Sequence, residues 1–391
     1  MSHAAIAIPG LDRIGGAERQ AMLLAKGLRR RGWRVSVVAL SGSGGAAAAE
    51  LCDCGVAFTS LEMRKGLADP RGWIRFQRWL WREQPDVLHA HLPHAAWLCR
   101  WSRLAAPVPV VIDTLHSSST GKSGRHFGYA CSRWLPDHVT AVSRATAASH
   151  LAAGMVREDQ VSILANGIEV DAWQPDAHAR REARWLLGLT DEFLWLAVGR
   201  LEAVKDYPTL LKALAYAPEK ARLLILGTGP QEMELIALAR KLGLERRVCL
   251  LGFEPNVQRW MQAADGFVLS SRYEGLPMVL LEAGAGAVPA VATDVPGTCE
   301  VIVDGVNGRL ARAGDPQSLC EAMTGLMRMP LEERYAMGEC ARRRVIAEFG
   351  LDTVLNRWER LYEALLDRKI VKWRRRLVAR EILSRRSAAS A

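Results

Sequence analysis

Two doubly wound α/β domains in tandem are the fold this sequence predicts, and three observations predict it. The chain has 391 residues, too many for one ordinary hydrophobic core, so two domains are the starting expectation. Short apolar, β-prone runs alternate with segments of helical periodicity, and the alternation starts afresh near the middle. Glycine turns stand at the strand-to-helix junctions, where the free N–H groups of a helix start make a natural anion site. The division falls into one doubly wound domain over residues 1–175, a second over 176–360, and a basic amphipathic tail over 361–391.

Ala4–Ile8 is the first strand, and the loop Gly15-Gly16-Ala17-Glu18 feeds a helix that Gly32 ends. With the strand Arg34–Leu40 this is a βαβ opening in which Gly15 and Gly16 could bring backbone to a phosphate, although the loop is not a GxGxxG fingerprint. Ser41–Ala49 reads as a loop and Gly72–Trp81 as an amphipathic helix. Strands follow at Asp86–His91, Val108–Leu115, Val139–Ser143 and Val161–Asn166, with a linker at Gly167–Gln174. His91, His116 and Ser143 fall at the carboxyl ends of strands, where ligands gather in open α/β sheets. His116, before a Ser/Gly loop, is a candidate contact to a reacting group. His89 and His91 share one face of a strand, but no convergent carboxylate or cysteine supports a metal site there.

In the second half the strand Phe193–Val198 ends at Gly199 and Arg200, and Lys205 stands at the entry to a helix. A guanidinium fork and an ammonium point charge suit a diphosphate. Strands at Arg222–Leu226, Val248–Gly252, Gly266–Ser271 and Pro289–Thr293 follow, with helices over 314–327 and 331–348. The most informative stretch is Ser270–Pro289, SSRYEGLPMVLLEAGAGAVP. Glu274 sits in a turn, and Gly275, Leu276 and Pro277 pass into a helix, with Pro277 suited to its first position. Glu282 lies about one and a half turns in, tilted back toward the helix mouth. Two carboxylates and several backbone donors would then face one ligand carrying phosphates and hydroxyls. The competing reading is a turn glutamate and a solvated helix glutamate near the positive end of the dipole.

Composition narrows the class. With 49% hydrophobic and 24% charged residues the chain is globular. No apolar run approaches the roughly 20 residues that span a bilayer. The start, MSHAAIAIPG, lacks the basic and apolar regions of a signal peptide, so a cytosolic protein is expected. The eight cysteines are scattered, and only Cys52 and Cys54 stand close, so reduced, mostly buried thiols are expected. The net charge of +10 is concentrated after Asp367, where nucleic acid or an anionic membrane would be attracted. No nucleic-acid-binding motif accompanies it.

Taken in order, the motifs resemble those of the glycosyltransferase family 4 enzymes, retaining sugar transferases of the GT-B fold. They are GGAE at Gly15–Glu18, PDVLHAH at Pro85–His91, TLHS at Thr114–Ser117, TAVS at Thr140–Ser143, NGIE at Asn166–Glu169, VGRLEAVKDYPTLL at Val198–Leu211, LGTGP at Leu226–Pro230 and EGLPMVLLE at Glu274–Glu282. The last carries both glutamates of the family's E-x7-E pattern, and the match runs over roughly residues 4–360. The resemblance implies two Rossmann-like domains facing an interdomain cleft, an acceptor side before residue 175 that includes His91, and a donor side after it. It implies that Arg200 and Lys205 neutralise the donor diphosphate. Gly15, Gly16, Gly199 and the Gly275-Leu276-Pro277-Met278 backbone would lie beside phosphate or sugar. Glu282 would bind the ribose hydroxyls, and Glu274 and His116 would lie near the transferred sugar. The nucleotide sugar is a substrate, so no cofactor is expected, and no metal, since no Asp-x-Asp stands at a strand end.

Two departures touch the sugar pocket rather than the phosphates: Pro296 in PGTCE, where the family often has glycine, and Gly284 and Gly286 in place of larger residues. The resemblance therefore implies sugar transfer to a saccharide or a polyprenol- or lipid-linked acceptor in cell-surface polysaccharide or lipopolysaccharide synthesis. The tail, residues 369–391, would rest on an anionic inner membrane surface. A nucleotide-sugar epimerase of the same fold and a catalytically silent sugar-nucleotide-binding protein are the alternatives, and a nucleic-acid-binding protein is the most distant one.

Overall fold

The computed structural model describes residues 1–12, 14–64, 69–118 and 123–389, with the side chains of 123–126 and 371–389 left aside. Seven strands form the first sheet: β1 (His3–Ile8), β2 (Arg34–Ala39), β3 (Ala57–Ser60), β4 (Val87–His91), β5 (Val110–Leu115), β6 (His138–Ala141) and β7 (Val161–Ile163). Their order is β3-β2-β1-β4-β5-β6-β7, and every pairing is parallel. Six strands form the second: β8 (Phe193–Val198), β9 (Ala221–Leu226), β10 (Val248–Gly252), β11 (Gly266–Leu269), β12 (Ala290–Thr293) and β13 (Gly308–Ala311). Their order is β10-β9-β8-β11-β12-β13, again parallel throughout.

The residues explain the layering. β1, β4 and β5 are near-continuous apolar runs, and every one of their residues is buried, as parallel strands covered on both faces require. β10 is an edge strand, and only there do half-buried and exposed residues alternate. Asp176 and Asp315 cap the helices Ala177–Leu186 and Pro316–Arg328, each accepting from two backbone N–H groups in the first turn. In both sheets the chain begins at the centre, winds outward to one side, then returns to build the other. The reversal lies between β1 and β4 in one sheet and between β8 and β11 in the other, and ligands of such sheets bind outside the strand ends at that point.

Two compact units follow from the contacts: Met1–Val142 with Ala147–Leu164 and Val354–Ala391, and Ser143–Thr146 with Ala165–Thr353. The C-terminal part of the chain is thus placed differently from the sequence division, which kept 354–360 in the second domain and made 361–391 a separate tail. One helix, Leu351–Ala389, runs through this region. Within the first unit Leu355 packs on Gly27, so closely that a Cβ at Gly27 would lie 2.5 Å from its methyl carbon. Glu359 accepts from Arg31 at 2.6 Å and from the Trp33 indole at 3.0 Å. Leu355, Trp358, Tyr362 and Leu365 bury one helical stripe. Lys369 pairs with Asp137. The membrane-facing expectation for 369–391 falls mostly on side chains outside the described residues. Among the described residues no helix is long and apolar enough to cross a membrane.

Other expectations need correction. Ser41–Ala49 is not all loop, because a helix covers Gly45–Asp53; its alanines are the strongest helix formers. Pro277 is the residue before a helix rather than its first residue, since that helix covers Met278–Ala285. The thiols are not mostly buried: Cys52, Cys54, Cys131, Cys249 and Cys299 are exposed, and only Cys99 is fully buried. The elements β3, β13 and the helix Pro93–Ser102 were not anticipated.

Candidate functional site

In the second unit the two loops at the β8/β11 switch point are sewn together. The Arg272 N–H donates to the Val204 carbonyl at 2.8 Å, and the Ser270 hydroxyl donates to the Lys205 carbonyl at 2.8 Å. The side chains then meet: Lys205 Nζ donates to Glu274 Oε1 at 2.6 Å, and the Ser271 hydroxyl donates to the same oxygen at 2.6 Å. Both members of this ion pair are largely buried, at 19% and 13% side-chain exposure. A charge pair so enclosed is held by geometry, and removing one partner strands the other. Tyr207 lies beside it with its hydroxyl donating to the Gly199 carbonyl at 3.1 Å. Burial, and then the charge of Glu274, push the Tyr207 phenol upward.

Backbone crowding fixes the same loops. A Cβ at Gly227, whose φ is +137°, would meet the Gly199 carbonyl oxygen at 2.0 Å, so only glycine lets these two turns touch. Gly297, with φ +89°, lies so close to the Glu274 and Gly275 carbonyls that a Cβ would sit 2.7 Å from both. PGTCE is therefore packed under the Glu274 turn, and its glycine at 297 is the one that geometry requires. Gly275, Leu276, Pro277 and Met278 are buried, and Asn166 donates to the Leu276 carbonyl at 3.4 Å. Glu282 is only 6% exposed, which excludes the solvated-helix reading. Arg200 is different: it pairs with Glu202 at 2.8 Å and is 77% exposed.

In the first unit the corresponding switch point is lined by uncharged rings. His91 ends β4, and its Nδ1 lies 2.8 Å from Nε2 of His116, just past β5. The His89 ring sits 4.2 Å from that of His91. Beneath them His89 Nδ1 meets the Tyr362 hydroxyl at 2.7 Å, and its Nε2 meets Thr114 Oγ1 at 2.6 Å. Burial pushes His116 down to about 4 and His89 to about 3, and holds His91 well below its usual range. All three are neutral imidazoles at neutral pH. Behind the strand, Arg100 pairs with Asp113 at 2.5 Å, fully buried. On the other flank, Gly15 and Gly16 stand at the start of the helix Gly16–Arg30, where the Gly15 N–H donates to the Glu18 carboxylate at 3.0 Å. A phosphate there would compete with a side chain for that donor.

The sequence-derived residues thus gather in two sets, Gly199, Lys205, Glu274, Gly275–Met278 and Glu282 in one unit, His91 and His116 in the other. Ser271, Tyr207, Thr114 and Tyr362 were missed. For Ser271 the signal was present, three positions before Glu274. Tyr362 gave none, because its partner His89 is 273 positions away. Among the described residues no group of three or more histidine, cysteine, aspartate or glutamate side chains is placed to hold a metal ion.

Comparison with known proteins agrees with the fold and adds the family. Residues 14–172 match the family described as Glycosyltransferase Family 4, and 179–344 that described as Glycosyl transferases group 1. The chain is 30% identical over 304 residues to the D-inositol 3-phosphate glycosyltransferase of Xylanimonas cellulosilytica, covering 69% of this chain and 68% of that one. It is 24% identical over 271 residues to the UDP-Gal:alpha-D-GlcNAc-diphosphoundecaprenol alpha-1,3-galactosyltransferase of Escherichia coli, covering 66% and 70%. In fold it resembles Anabaena HepE, solved in complex with UDP and glucose, with a TM-score of 0.83 at 21% identity over 92% of this chain and 99% of that one. With two Rossmann-like units of the GT-B type and both halves matched, this chain belongs to the group 1 glycosyltransferases, its N-terminal half of the Family 4 kind.

Proposed function

We propose that this glycosyltransferase is a retaining, metal-independent enzyme that takes a sugar from a nucleotide-diphosphate donor, with UDP as the first candidate. The observation that carries the reading is the enclosed Lys205–Glu274 pair at the β8/β11 switch point. An ammonium has three N–H donors; Glu274 takes one and orients the group, leaving others for a diphosphate oxygen. Arg200, on the same loop, adds an exposed guanidinium. As the bond from the anomeric carbon to the diphosphate oxygen breaks, its electron pair goes to the diphosphate, and fixed cations and N–H donors stabilise that charge. The acceptor hydroxyl oxygen bonds to the anomeric carbon on the same face, and its proton passes to the departing phosphate oxygen. Glu274, tied to Lys205 and Ser271, serves position and electrostatics rather than nucleophilic attack. Glu282 takes the ribose hydroxyls, with the Gly275–Met278 backbone beside the phosphates and sugar. Within the first unit, Gly15, Gly16 and His116 are the residues assigned to phosphate or sugar, and the acceptor is assigned to that unit.

For the acceptor we favour a saccharide or lipid-linked saccharide of cell-surface polysaccharide synthesis; the E. coli relative is named for a diphosphoundecaprenol-linked sugar acceptor. The basic segment 369–391 would hold the enzyme at the inner membrane surface. The test combines two measurements. Thermal unfolding with UDP, GDP and ADP sugars should rise most with a UDP sugar, since a ligand of the native state stabilises it by mass action. Transfer to a diphosphoundecaprenol-linked acceptor, followed by NMR of the product, should give the donor's anomeric configuration, with or without EDTA. An inverted product would exclude retention, and loss of activity in EDTA would exclude metal independence. Donor conversion without acceptor would instead favour an epimerase.

A further inference from the structure

In the first unit the hydrogen bond between His91 and His116 can run only one way at low cost. Both rings are neutral, so each carries a single ring proton. In a bond from His91 Nδ1 to His116 Nε2, at 2.8 Å, one ring donates and the other accepts. The other nitrogen of His91, Nε2, is buried and has no partner among the described residues. Were His116 the donor, the proton of His91 would sit on that Nε2, as an N–H with nothing to bond. Orphaned buried N–H groups are rarer than under-used acceptors. With the proton of His91 on Nδ1, the orphan is only a lone pair, and His116 must receive at Nε2 and keep its own proton on Nδ1.

We propose that His91 is a positioning residue that fixes His116 in the Nδ1–H form, so that His116 offers substrate a neutral hydrogen-bond donor and not a base. This rests on the reading of His116 as a substrate contact and goes beyond it, because it states which atom acts and what it can do. The group that suits Nδ1–H is a hydroxyl or ring oxygen of a sugar.

The ring stack keeps His91 where this requires. His89 lies against it at 4.2 Å, and the network below His89 has one direction. The Thr140 hydroxyl donates to the Asp113 carbonyl at 3.3 Å, so it accepts from Thr114 at 2.7 Å. Thr114 then accepts from His89 Nε2–H, and His89 Nδ1 accepts from Tyr362. No proton of this chain is free to reach His91.

The test uses the full chain labelled with 15N-histidine. Long-range nitrogen–proton correlation at neutral pH reports which ring nitrogen carries the proton, and loss of the signal in His116→Gln assigns it. The expected result is a protonated Nδ1 and an unprotonated Nε2 at His116. A protonated Nε2 overturns the proposal, whatever the transfer assays show. His91→Asn keeps an N–H donor near the Nδ1 position and should keep that pattern with most of the transfer rate. His91→Leu should lose the pattern and lower kcat roughly ten-fold or more, as mispositioning does, with UDP affinity unchanged. Equal kcat values for the Asn and Leu variants would also overturn it. A failure of the functional reading shows itself separately, as a His116→Gln enzyme with full transfer rate and the Nδ1–H signature intact in the parent.

Discussion

The two units share one strand order and fill the same place with opposite chemistry. At the β1/β4 switch point and its neighbour β5 the side chains are hydroxyls and imidazoles, the imidazoles held neutral by burial. At the β8/β11 switch point they are an ammonium, a carboxylate and, further out, a guanidinium. Buried neutral rings pay little desolvation and suit hydroxyl groups. Enclosed ions are costly to assemble and suit a partner whose charge changes during reaction. The difference teaches that a shared topology places ligands, while the residues at the strand ends decide which part of a ligand each unit can take.

The largest effect that sharpens this contrast is expected in the charged unit. Lys205→Ala should lower kcat/KM by about 10²–10³-fold, the usual cost of one preorganised donor to developing negative charge. Steady-state kinetics with the UDP sugar checks it. A loss below ten-fold would place the departing charge on other groups. Glu282→Gln should come next, weakening UDP binding by roughly 10–100-fold, the range for a hydrogen bond to a charged group, with calorimetry as the readout. If binding falls for UDP but equally for free diphosphate, Glu282 is not a ribose contact.

In the neutral unit the effects should fall on stability. Tyr362→Phe removes the donor to His89 and leaves a buried acceptor unpaired, a cost of about 1–3 kcal/mol, visible in urea unfolding. Affinity for UDP should stay constant. A parallel loss of affinity would mean that the two regions do not divide the work as described.

Much of both sites was legible because the relevant residues lie where a strand becomes a turn. His91 ends an apolar strand and His116 follows one, while Lys205 and Glu274 lie in the loops after β8 and β11, and the apolar strands mark all four. Their pairing was not legible. Lys205 and Glu274 are 69 positions apart, and only the strand order brings β8 beside β11. Burial at Glu282 was invisible for a different reason: apart from Glu282 itself, Val279 to Ala285 is apolar all round, so no amphipathic stripe says which face is inside. The C-terminal helix shows the opposite case. Its stripe at Leu355, Trp358, Tyr362 and Leu365 was present in the sequence, but the neighbouring cations dominated the reading and suggested a separate membrane-facing tail.

The smallest expected effect tests the comparison most directly, because it needs no substitution. His89, His91 and His116 are neutral when folded, and in the unfolded chain they titrate near 6.5. Below that value the unfolded state binds more protons, so stability rises with pH there. It is fully present above about 6.5 and is lost as pH falls, toward about 4 for His116 and about 3 for His89. A step from pH 7 to pH 6 should cost only about 0.7 kcal/mol per histidine. The second unit holds a single histidine, His178, at an exposed helix start. Amide exchange, corrected for its intrinsic pH dependence, should therefore accelerate in β4 and β5 over that step while β8 and β11 keep their protection. Equal acceleration in both sheets would mean that the acid sensitivity is not carried by the histidine stack.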